Sequence, residues 1–97
     1  MPDYYRQEFH PSFRKDLKNL DKPLRQKIFD LLDYIAQSPN IGERLTGDLG
    51  DIFSYHFSYS GTQYRIAYTL KESEIIIYFI SVGVRENFYT KLKSRIS

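Results

Sequence analysis

The sequence has no cysteine and no tryptophan, and only two of its 97 residues are histidine. Without cysteine there is no disulfide framework and no thiolate, and a reducing compartment suits the chain. His10 and His56 alone do not make the ligand spacing of a zinc or facial-triad site, so neither a metal nor another cofactor is expected. Glycine is sparse, and Gly42, Gly47 and Gly50 do not open a strand-to-helix phosphate loop. No nucleophile elbow is visible, which leaves a serine triad without support. No apolar run reaches the length of a membrane span, and the first residues lack the apolar core of a signal peptide. A cytoplasmic location with no membrane partner follows as the expectation. Charge of one sign is also scarce: 14 Lys and Arg against 12 Asp and Glu leave +2, too little by itself to announce a nucleic-acid binder.

Aromatics are abundant by contrast, with nine Tyr and seven Phe, and such side chains pack well on a pleated sheet. The length fits one domain spanning residues 1–97. Tyr4 to Phe9 alternate as a first strand, ended by His10-Pro11. Ser12 is placed as an N-cap for a short helix whose apolar face is Phe13, Leu17 and Leu20. Asp21-Lys22-Pro23 stops that helix and starts another, carrying Leu24, Ile28, Leu31, Leu32 and Ile35 and ending before Ser38-Pro39. So short a break predicts a helical hairpin over one sheet face.

The stretch from Asn40 to Asp51 is loop-like, and beyond it the period changes to two. Phe53, Tyr55, Phe57 and Tyr59 alternate with Ser54, His56 and Ser58, and Tyr64, Ile66, Tyr68 and Leu70 alternate with Arg65 and Ala67. Ile75 to Val82 is an apolar run suited to a strand covered on both faces. Phe88, Leu92 and Ile96 then mark a terminal helix. The order β-α-α-β-β-β-α predicts an α+β fold, with a helical hairpin on an antiparallel-rich twisted sheet of about four strands.

Successive strand side chains point to opposite faces. With the aromatic set in the core, Ser54 and His56 face the other way, and Arg65 joins His56 if the two strands form a hairpin. Gly83 allows the chain to bend as the last strand ends, and Arg85 follows at the sheet edge, where a guanidinium fork suits phosphate oxygens. Tyr89 lies about one helical turn on. His56, Arg65, Arg85 and Tyr89 are therefore the candidate site for a phosphate group. Residues 1–48 hold eight acidic and eight basic side chains, whereas from Arg85 onward Arg85, Lys91, Lys93 and Arg95 outnumber Glu86. Arg44, Lys91, Lys93 and Arg95 are further basic candidates for backbone-phosphate contacts, which the resemblance described next makes contacts to ribosomal RNA, against the alternative of solvated surface.

Leu45-Thr46-Gly47, Tyr64-Arg65-Ile66-Ala67-Tyr68 and Val82-Gly83-x-Arg85-x-x-x-Tyr89 together resemble the RelE/ParE superfamily of bacterial type II toxins. The resemblance spans nearly the whole chain. In the RelE branch it implies ribosome-dependent cleavage of messenger RNA, with Arg65, Arg85 and Tyr89 in the catalytic positions. In the ParE branch it implies inhibition of DNA gyrase without a nuclease site. Ser54 stands where RelE-branch toxins often carry a basic residue, while other ribonuclease branches use histidine and glutamate. Either branch implies a cognate antitoxin, seated as a helix in an apolar groove beside the sheet. Tyr89 and His56 both remain open as the base, with Arg85 as transition-state stabiliser or proton donor and Arg65 as phosphate clamp.

Overall fold

Local chemistry places the first helix slightly earlier than expected. In the computed structural model, which describes residues 5–86 and 88–96, β1 (Arg6–Phe9) leads into α1 (Pro11–Lys18). Tyr4, expected to open the strand, lies outside the described residues. The N-cap is His10 rather than Ser12: His10 Nδ1 accepts from the Ser12 backbone N–H at 3.0 Å. Pro11 takes the first helical position because it has no N–H to leave unpaired there. Asp21 and Pro23 start α2 (Lys22–Gln37) as predicted.

β2 (Glu43–Arg44), β3 (Phe53–Tyr59), β4 (Thr62–Lys71) and β5 (Ile76–Val84) follow, and α3 (Phe88–Ile96) ends the described chain. The five strands lie in the order β1-β5-β4-β3-β2. β1 runs parallel to β5 and the other pairs are antiparallel. The strand beyond the expected four is β2, inside the loop-like stretch from Asn40 to Asp51. Its two residues pair with Ser54 and Phe53, too few to show a period.

The helical hairpin covers one face. Phe13, Leu24, Ile28, Leu32 and Ile35 meet Ile66, Tyr68, Ile77, Phe79 and Val82 there. A smaller cluster on the other face joins Phe88 and Leu92 of α3 to Leu49, Ile52, Ala67 and Ile80. Ser54 pairs with Ala67, a member of that cluster, and so is 1% exposed rather than solvated. A bulge in β5 makes both layers possible. Ala67 pairs with Ser81 and Tyr68 with Phe79, leaving Ile80 as the extra residue. Phe79 and Val82 then both serve the main core, while Ile80 serves the second. The strand also runs past Gly83 to Val84, so Gly83 is a paired residue rather than its end.

The loop before β2 is tied down by Tyr68. Its hydroxyl donates to the Pro39 carbonyl at 2.5 Å and accepts from the Gly42 N–H at 3.0 Å. Burial pushes the phenol up to about 12.

Candidate functional site

In the β3–β4 hairpin His56 stands directly opposite Arg65, which gives both side chains one face. Arg65 in turn stands opposite Gly83. A side chain at position 83 would meet nothing nearby, so that flank of Arg65 is open. Arg65 Nη1 lies 3.1 Å from His56 Nε2 and also donates to the Tyr89 hydroxyl. The Arg65 Cζ sits 5.1 Å from the Tyr89 ring centroid, a cation–π contact that holds the two together.

A guanidinium has donors only, so the hydrogen bond from Arg65 requires an unprotonated Nε2. The electrostatics agree. Burial is the largest influence holding His56 below the usual histidine range, and the Arg65 and Arg85 charges add to it. Glu43 acts the other way, its Oε2 being 3.9 Å from His56 Nε2. His56 is thus a neutral imidazole set between cations. Arg85 is exposed just past β5, where its backbone N–H donates to the Gln63 carbonyl at 3.1 Å. Beside it is an open depression of about 370 Å³ lined by Gly61, Thr62, Gln63, Val84, Arg85 and Glu86. A neutral imidazole, two guanidinium groups and a phenol can bind an anion and move a proton next to it.

The structure therefore brings together His56, Arg65 and Tyr89, with Arg85 close enough for its charge to act on His56. The outlying basic residues divide. Lys91 and Lys93 are exposed on α3. Arg44 is tied into its own loop, donating to the Gly50 carbonyl at 2.8 Å and lying 3.8 Å from Asp51. Arg95 does not face solvent: its side chain is 17% exposed and paired with Asp16 at 2.6 Å. Its charge is committed inside the protein, which removes it from the candidate RNA contacts. Two charged residues escaped the sequence reading. Glu43 lay in the stretch without period, and Asp16 is one acid among many on the helices; neither carries a local signal.

Over residues 8–93 the sequence matches the family described as the ParE-like toxin of type II bacterial toxin-antitoxin systems. The chain belongs to that family. It is a toxin of a type II toxin-antitoxin system, within the RelE/ParE superfamily that the strand and tail motifs resemble. No curated relative matches the sequence. Among solved structures, the toxin is similar to a mutant of Escherichia coli RelE in the free state. The identity is 23% and the TM-score 0.77, covering 97% of this chain and 99% of that one. It is also similar to a RelBE toxin-antitoxin complex of Mycobacterium tuberculosis, at 23% identity and TM-score 0.73, over 84% and 92% of the two chains. The intact E. coli RelBE complex gives 24% identity and TM-score 0.70, over 84% and 98%. These likenesses show a RelE fold. No helix among the described residues is long and apolar enough to cross a membrane.

Proposed function

We propose that this toxin is a ribosome-dependent endoribonuclease that cuts messenger RNA without a metal and so inhibits translation. The observation that carries the reading is the contact of Arg65 with both His56 and Tyr89, with burial and the Arg65 and Arg85 charges holding the His56 pKa down. A scissile phosphate entering from the open Gly83 side takes over the donors of Arg65, which frees His56 Nε2. His56 then accepts the proton of the 2′-hydroxyl, and the 2′-oxygen attacks phosphorus to form a cyclic phosphate. Arg65 and Arg85 stabilise the added charge on the non-bridging oxygens, and Tyr89 supplies the proton that leaves with the 5′-oxygen. This ordering chooses His56 over Tyr89 as base: a phenol starts near a pKa of about 10, whereas a neutral imidazole already holds a lone pair at pH 7.

An in vitro translation reaction tests the proposal. The expected outcome is message fragments that appear only with ribosomes, and a loss of about 10²–10³ in cleavage rate for Arg85→Ala with an unchanged circular dichroism spectrum. An Arg85→Ala protein cleaving at the normal rate would overturn the assignment. The buried Ser54, which supplies no cation, favours a second reading in which the toxin inhibits DNA gyrase. Arrested gyrase with intact message is the outcome that selects it. In either case the expected protein partner is a cognate antitoxin, for which exposed Tyr34 on α2, in ring contact with Tyr55 of the sheet, offers apolar contact.

A further inference from the structure

α3 meets the sheet through Phe88 and Leu92, four residues apart on one stripe. These two buried residues set how deep the helix lies, while Tyr89 packs only at the margin of the same cluster, so the roll about the line joining Phe88 and Leu92 depends on contacts at the sides of the helix. At about 100° per residue, Tyr89 projects about 60° to one side of Leu92 and Arg95 about 60° to the other. Each side chain has a partner on its own side. Tyr89 reaches Arg65 on β4. Arg95 donates to the two carboxylate oxygens of Asp16 at 2.6 and 2.8 Å, to Ser81 Oγ at 2.9 Å and to the Ile80 carbonyl at 3.3 Å.

Asp16 is itself held in place. Its Oδ2 accepts from the Val82 N–H at 3.1 Å, on β5 beyond the last β1 pair at Phe9 and Phe79. The side chains of Arg95 and Asp16 are only 17% and 14% exposed, so neither bulk salt nor water readily replaces the contact. A planar guanidinium bound at both ends of a carboxylate has little angular freedom. It therefore supplies the constraint that the apolar stripe lacks.

We propose that Asp16 and Arg95 form a positioning clasp that fixes the roll of α3 and thereby holds the Tyr89 hydroxyl on Arg65. The kinetic consequence rests on the RNA-cleavage reading; the placement of Tyr89 does not. The test uses the full chain with Arg95→Gln and, separately, Asp16→Asn, both of which retain polar side chains at the buried positions. With tyrosine labelled at ¹³Cζ, the Tyr89 resonance should move in both variants toward its position in Arg65→Gln. Amides of α3 should exchange at least tenfold faster while those of β4 and β5 keep their rates.

On ribosome-bound message the expected result for Arg95→Gln is a fall in kcat of at least tenfold with KM unchanged. In a Tyr89→Phe background the same substitution should cause no further loss of the residual rate. An unmoved Tyr89 resonance overturns the clasp. So does faster exchange throughout the sheet, or an equal rate loss in the Tyr89→Phe background, since either would mean general destabilisation. If the wild-type toxin cuts no RNA, the cleavage reading fails alone, and the resonance and exchange measurements still decide the clasp.

Discussion

Single residues in this toxin are constrained by what lies across from them rather than by their sequence neighbours. Gly42 is the clearest case. A β-carbon there would collide with the Tyr68 hydroxyl and sit 2.9 Å from its ring carbon Cζ. Tyr68 cannot swing away, because it is fully buried and hydrogen-bonded to Pro39 and Gly42. Gly42→Ala should therefore destabilise the fold by about 1–3 kcal/mol, read from urea unfolding. On the proposed cleavage reading His56 carries the pH dependence. Burial and two guanidinium groups lower its pKa, so cleavage should persist on acidification until below the ordinary histidine value of about 6.5, then fall as the ring charges. Glu43 opposes that lowering, so Glu43→Gln should move the acid limb of the pH–rate profile to still lower pH. A limb that stays in place would mean that Glu43 and His56 do not interact in the active toxin of that reading.

At the scale of elements, the turns and caps decide where each side chain points. The turn into β5 is strained: Ile75 adopts φ 54° and ψ 50°, a left-handed conformation that a β-branched residue disfavours, and it is exposed. Ile75→Asn should raise stability by about 1 kcal/mol, seen as an increase in Tm, because asparagine tolerates that conformation at less cost. The bulge at Ile80 has a larger reach. It keeps Val82 in the main core and sets Gly83 opposite Arg65, so the last strand ends with Arg85 at the candidate site. Periodicity could not show this, since an uninterrupted apolar run has no face to mark the extra residue.

For the whole molecule, the small net charge hides different placements of its cations. Arg65 and Arg85 lie at the candidate site, Arg95 holds α3 to α1, and Arg44 closes its own loop. Lys91 and Lys93 lie on the exposed side of α3. Replacing both by glutamine should weaken ribosome binding and reduce the slope of log affinity against log salt by roughly 1 to 2, measured by ribosome co-sedimentation. An unchanged slope would mean that neither lysine contacts the ribosome.

The sequence by itself determined the α+β class, the helical hairpin, the β3–β4 pair and the shared face of His56 and Arg65. Those features depend on periods of 2 and 3.6 residues and on proline and glycine punctuation, all local along the chain. Tertiary structure alone decided the rest. It buried Ser54 under a second small core, made Glu43 a neighbour of His56 through a two-residue strand, and turned Arg95 inward onto Asp16. Asp16 and Arg95 are 79 positions apart, as the chain counts them, and meet only because β5 lies between α1 and α3. A charge carries no sign in the sequence of which opposite charge will reach it, because that depends on the packing of layers that no local period records.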